Sequence, residues 1–276
     1  MEHSITIHSP QAQLAATLHI PEHESKDLLV QNGSWPIIII CHGFIGTRIG
    51  VNRLFVKAAR HLSSLGFKVL RFDYGGCGES TGDYGASGLD ELIIQTRSVL
   101  DYAISLEHVD PDRVILLGHS LGGASALLTA ARDSRVKKLV MWSAVAYPHH
   151  DLVNIVGREE YARLTSTSVL DHNGYGFTQR FFKSLASEQP LIQLRKYDGD
   201  VLVVHGTGDE VIPVDYAPLY QNHFALRSTG SCELHLVQQA DHTYSSQCSV
   251  NELLQVTGEW LIRMIAPQEG WYDWNI

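Results

Sequence analysis

The chain has 276 residues, 44% of them hydrophobic and 18% charged, with 21 Lys and Arg against 30 Asp and Glu and a formal charge of −9. At roughly 100–200 residues per domain, this length suits a single α/β domain carrying an insertion, with enough apolar residues for a sizeable core. The longest lysine run is Lys137-Lys138, so nucleic-acid binding is not expected, because neutralising phosphates needs clustered cations.

The chain opens on Met1-Glu2-His3-Ser4-Ile5, without the basic segment and apolar stretch of a secretory signal. Residues Ser4 to His8 and Leu14 to Ile20 alternate apolar and polar around Ser9-Pro10-Gln11, which predicts an antiparallel hairpin with one wet face. The run Ile37-Ile38-Ile39-Ile40-Cys41 lacks alternation and predicts a strand covered on both faces. Helical spacing over Leu54 to Leu65 stops at Gly66, and Phe67 to Phe72 reads as a strand. A long amphipathic helix is expected over Leu89 to Leu106, then strands over Arg113 to Leu117 and Val136 to Trp142. Further strands are expected over Val201 to His205 and Glu233 to Val237, with a closing helix over Val250 to Ile265. This alternation predicts a mostly parallel central sheet with helices on both faces. Residues 144–194 break the rhythm, show no clear strand, and are expected to form an inserted lid of two or three short helices. Residues 1–143 and 195–276 would then form the core. No apolar run approaches the roughly 20 residues of a membrane span. The four cysteines, Cys41, Cys77, Cys232 and Cys248, lack Cys-x-x-Cys spacing and read as free thiols in a reducing, cytoplasmic compartment. His149-His150 are adjacent rather than at ligand spacing, so no metal is expected.

The most informative stretch is Gly118-His119-Ser120-Leu121-Gly122-Gly123, between an apolar strand and a small-residue helix. A serine at the apex of so tight a turn is lifted clear of the sheet, and the Leu121 N–H sits at a helix N-terminus, where negative charge is stabilised. A serine hydroxyl needs a base, and the base an orienting carboxylate. Asp209 and His242 each follow a predicted strand, in the order Ser, Asp, His, at the sheet rim that carries Ser120. Asp209 could instead be a turn former, with Glu210 its substitute, and His242 a surface residue. The loop His42-Gly43-Phe44-Ile45-Gly46 would offer the Phe44 N–H as a second oxyanion donor. His42 is expected to hydrogen-bond within that loop and His205 to serve in packing. Asp73-Tyr74-Gly75-Gly76-Cys77-Gly78-Glu79-Ser80 lacks the features of a phosphate-binding loop and reads as structural.

These motifs, together with Gly206-Thr207-Gly208-Asp209 and Asp241-His242, resemble the α/β-hydrolase superfamily over nearly the whole chain. Cys41 to Gly46 followed by Arg48 is most similar to bacterial cinnamoyl/feruloyl esterases and related serine-aminopeptidase-type hydrolases. Where such proteins usually carry Arg after the Asp-Tyr pair, this chain has Gly75. The resemblance implies a serine hydrolase that cleaves a small-molecule carboxylic ester through an acyl-enzyme, with neither cofactor nor metal. The lid aromatics Tyr147, Tyr175, Phe177 and Phe181 would contact the substrate, or simply hold the lid down. The alternatives are another acyl hydrolase on the same residues (monoacylglycerol lipase, thioesterase or serine aminopeptidase) and a non-catalytic hydrolase-like receptor. A homodimer is left open, with Trp271-Tyr272-Asp273-Trp274 docking on its own domain or on a second subunit.

Overall fold

A computed structural model describes residues 1–22 and 29–265; the Trp271–Trp274 segment lies outside the described residues. The chain begins with the antiparallel pair β1 (Glu2–Ser9) and β2 (Ala12–His19), followed by β3 (Trp35–Cys41), α1 (Leu54–Ser64) and β4 (Lys68–Phe72). Next come α2 (Leu89–Ser105), β5 (Val109–His119), α3 (Leu121–Ala130) and β6 (Val136–Trp142). The inserted stretch holds α4 (Pro148–Val156), α5 (Arg158–Ala162), β7 (Leu170–His172), β8 (Tyr175–Phe177), α6 (Gln179–Ser187) and α7 (Pro190–Gln193). The core resumes with β9 (Asp200–Gly206), α8 (Tyr216–Phe224), β10 (Cys232–Val237) and α9 (Gln247–Ile265).

The large sheet has the order β1-β2-β4-β3-β5-β6-β9-β10. β2 pairs antiparallel with β1 and β4, and every pairing from β4 to β10 is parallel. β3 shows why its sequence lacks alternation. Ile37 and Ile39 pack into one core with residues of α2 and α3, while Ile38 and Ile40 pack into a second with residues of α1 and α9. Both faces of the strand are therefore dry, as its β-branched run requires. β4 and β5 flank β3 on opposite sides. The strand order thus reverses there, opening a crevice at the carboxyl ends of β3 and β5.

Two elements depart from the sequence reading. The insertion, expected to hold no strand, contains the antiparallel hairpin β7–β8. Its turn residues Asn173 and Gly174 both have positive φ, 54° and 81°, as a two-residue type I′ connection demands. Helix α8 was not anticipated, because Pro218 interrupts its pattern; in the first turn a proline costs no helical hydrogen bond. No described helix is long and apolar enough to cross a membrane.

Three imidazoles, those of His19, His42 and His119, are buried, which pushes them from near 6.5 down to about 4, about 4 and about 3. Arg71 Nε–H donates to His19 Nε2 (2.8 Å) and Tyr74 N–H to His42 Nε2 (2.9 Å). A proton on either nitrogen would set donor against donor. As pH falls from about 6.5 towards about 4, the unfolded chain binds these protons and the folded chain does not, so stability falls with pH in that window. Urea unfolding is expected to show a midpoint that drops steadily below pH 6.5, with up to three protons taken up on unfolding; a constant midpoint between pH 7 and 5 would contradict this.

Candidate active site

Ser120 sits between β5 and α3 with φ 57° and ψ −124°, a strained conformation for a residue with a side chain. Its backbone is pinned on both sides of the turn. Ser120 N–H donates to Trp142 O (2.9 Å), and Ser120 O accepts from Gly123 N–H (2.9 Å) and Val145 N–H (3.2 Å). The turn closes only because its flanks are bare. A Cβ on Gly118 would run into the Gly122 carbonyl, and one on Gly122 into the carbonyls of Cys41 and His42.

The loop after β3 passes directly beside this serine. A Cβ on Gly43 would lie 3.0 Å from Ser120 Cβ and 3.5 Å from its Oγ. His42 holds the loop's shape: Nδ1–H donates to Gly43 O (2.8 Å), and Nε2 accepts from Tyr74 N–H. Among the described residues, neither Phe44 N–H nor Leu121 N–H donates a backbone hydrogen bond. Behind the loop, Asp73 is fully buried and accepts from Arg48 N–H (2.5 Å), from the Arg48 guanidinium and from Glu79 N–H (3.0 Å). Gly75, the departure from the family pattern, has little room for a side chain, since a Cβ would meet Gln95 Nε2 at 2.9 Å and Ala12 Cβ at 3.1 Å.

Asp209 lies just past β9, its side chain completely buried. Its carboxylate has four donors. Oδ1 accepts from Val211 N–H and Ile212 N–H, both at 2.9 Å. Oδ2 accepts from His242 Nδ1–H at 2.8 Å and lies 3.1 Å from His205 Nε2. Burial alone would raise its affinity for a proton; the hydrogen bonds from His205, His242 and Ile212 outweigh that and hold it well below the usual carboxylate range. His242 follows β10, and its use of Nδ1 leaves Nε2 free to face the cavity. His119 ties this loop to the serine turn: its Nε2–H donates to His242 O (2.8 Å), and the two rings lie 4.7 Å apart. Ser120 and His242 line the same cavity, although among the described residues no hydrogen bond joins their side chains.

That cavity measures about 250 Å³. Phe44, Val51, Leu54, Phe55, Ile155 and Val211 supply apolar walls, with His172 and Asn173 contributed by the hairpin turn. None of the four lid aromatics expected to meet the substrate lines it. Phe177 and Phe181 are wholly buried, packed against each other (4.8 Å) and against Phe44 (5.1 and 6.1 Å). Tyr175 is half-buried, 6.1 Å from Tyr84. Tyr147 is exposed and lines a separate cavity with Leu191 and Ile192. Phe177 and Phe181 form the lid's interior because the lid has its own surface to bury. Sequence reasoning missed His172 and Asn173, although Asn173-Gly174 is a hairpin signal. It also assigned His205 to packing alone. Among the described residues, no group of three or more His, Cys, Asp or Glu is placed to hold a metal ion.

Several known proteins are similar to this chain. A family model described as alpha/beta hydrolase fold matches residues 36–157. An uncharacterised 31.7 kDa protein from the traX-finO intergenic region of Escherichia coli is 34% identical over 171 residues, covering 60% of this chain and 54% of that protein. The quorum-quenching protein AidA of Acinetobacter baumannii is 35% identical over 106 residues, 38% of this chain and 34% of AidA. The first of these matches spans only about half of its relative's length. Among solved structures, Est1E from Butyrivibrio proteoclasticus with ferulic acid bound superposes with a TM-score of 0.81 at 24% identity, covering 95% of this chain and 99% of Est1E.

The turn itself is open to test. Gly122→Ala is expected to destabilise the protein by about 1–3 kcal/mol, the usual range for overpacking a tight site, read as a lower denaturant midpoint; an unchanged midpoint would mean the turn has slack.

Proposed function

We propose that this chain, which has the α/β-hydrolase fold, is a serine hydrolase that cleaves uncharged carboxylic esters through an acyl-enzyme. The observation that carries the reading is the 2.8 Å bond from His242 Nδ1–H to the buried Asp209 carboxylate, with Ser120 on the wall of the same cavity. Ser120 Oγ attacks the ester carbonyl carbon while its proton passes to His242 Nε2. Asp209 holds the imidazole in the matching tautomer and stabilises the imidazolium that forms. The Phe44 and Leu121 N–H groups receive the oxyanion, an interaction whose loss typically costs about 3 kcal/mol of transition-state stabilisation. The carbon–oxygen bond to the alcohol then breaks, the departing oxygen taking the proton from His242. Water repeats the sequence on the acyl-enzyme to release the acid.

Among the described residues, the cavity walls carry no Asp, Glu, Lys or Arg. An aminoacyl substrate would bring an ammonium beside the reacting carbonyl with no carboxylate on these walls to receive it. Burying such charges unpaired costs far more than the reacting bond gains from position. This favours a small neutral ester over the aminopeptidase alternative. The ferulic acid bound to Est1E makes an aromatic acid a reasonable acyl group to try first.

Ser120→Ala is expected to lower turnover of p-nitrophenyl butyrate by roughly 10³-fold or more with no change in the thermal midpoint; retained turnover would place the nucleophile elsewhere. In a panel of p-nitrophenyl esters, methyl ferulate, acyl-CoA and aminoacyl anilides, the neutral esters are expected to give the highest kcat/KM. A higher value for the anilides or acyl-CoA would overturn the substrate class. A fluorophosphonate probe is expected to label Ser120, as read by peptide mass spectrometry, and failure to label folded protein would favour a non-catalytic role.

A further inference from the structure

We infer that His205 is a positioning residue for the hydrolytic reaction, transmitting the rigidity of the sheet to the Asp209 carboxylate. The inference rests on the catalytic reading above. His205 belongs to β9, which is hydrogen-bonded on both sides, to β6 and to β10. Asp209 lies in the loop after β9, whose backbone is tied towards β10 by Thr207 N–H to Val237 O (2.9 Å) and Gly208 N–H to Ala240 O (3.0 Å), while its carboxylate needs anchors of its own. The His205 side chain is buried and bridges the two. Its Nε2 lies 3.1 Å from Asp209 Oδ2 and 3.1 Å from Ile212 O. Both neighbours are acceptors, so Nε2 carries the proton and the ring has one useful tautomer. The same loop residue, Ile212, returns its N–H to Asp209 Oδ1. His205 therefore closes a small ring of hydrogen bonds that fixes the carboxylate and its loop at once.

Without His205, Oδ2 would keep only the His242 donor. The carboxylate could then turn, and the imidazole it aims would move with it. Misplacement of about 1 Å at a reacting group can cost 10²-fold in rate. The groups facing Asp209 are His205 from β9, His242 from the loop after β10, His119 from β5 and Tyr244. Of these, among the described residues, only His205 and His242 bring a ring nitrogen close to Oδ2, at 3.1 and 2.8 Å. Losing the His205 donor concentrates negative charge on the oxygen that faces His242, which favours the imidazolium. The acid limb of the kcat/KM profile should then move to higher pH.

The test separates hydrogen bonding from packing. His205→Phe keeps a ring without a donor, whereas His205→Gln keeps a side-chain N–H donor without the ring. With p-nitrophenyl butyrate, His205→Phe is expected to lose 10- to 100-fold in kcat with KM little changed, and its acid limb to move up. His205→Gln is expected to stay within about threefold of the parent, with the limb unmoved. If His205→Phe matches the parent, or His205→Gln is the worse of the two, the residue only packs and the inference fails. Should His205→Phe not fold, His205→Gln decides alone: near-parental kcat supports the inference and a 100-fold loss overturns it. Asp209→Asn is measured alongside. If Asp209→Asn is crippled while His205→Phe is not, only the role of His205 is wrong; if Asp209→Asn turns over like the parent, the relay is wrong and the inference falls with it.

Discussion

A carboxylate with no exposure to water has to find its solvation inside the protein, and much of the site is arranged around that requirement. Asp209 is such a group, and two backbone N–H groups and two imidazoles surround it. A buried charge left even partly unpaired would be costly enough to unfold the loop or to bind a proton. Meeting the demand draws in β9 through His205, the following loop through Val211 and Ile212, and the loop after β10 through His242. Three chain segments are thereby brought to one point. The orientation of the His242 imidazole is thus bound up with the stability of the folded state.

The second organising feature is the crevice where strand order reverses. β3 and β5 are neighbours in the sheet, so the loop after β3 and the turn after β5 meet at their carboxyl ends. The bare faces of Gly43, Gly118 and Gly122 allow that approach to be close. Among the described residues, Phe44 and Leu121, one in each of these two segments, have N–H groups that donate no backbone hydrogen bond. His42 and the Arg48–Asp73 pair fix the loop from behind, so its backbone is set before any ligand arrives.

Much of this could be read from the sequence because it depends on local chemistry. A β-branched run marks a strand covered on both faces, and glycines around a serine mark a turn that cannot close otherwise. An acidic residue or a histidine just past a strand falls at a predictable rim. Other parts depend on distances that no local pattern encodes. Nothing in the spacing of His205 and Asp209 says that they touch. The strands of the lid hairpin are three residues each, too short for alternation to show, which left Asn173-Gly174 as their only mark. The lid aromatics looked like a substrate surface because composition cannot tell the inside of a small subdomain from the lining of a cleft.

The hairpin also links two properties that are usually thought separable. Its apex sets His172 and Asn173 on the wall of the cavity that Ser120 also lines, while its base pairs Leu170 with Phe177 inside the aromatic cluster. A slip of one residue in that pairing would turn every side chain to the opposite face, exposing the base and withdrawing the apex. One wall of the Ser120 cavity and the anchorage of the whole insertion are thus set by one register. A lineage that reshapes the first must do so within the exchanges that the second will tolerate.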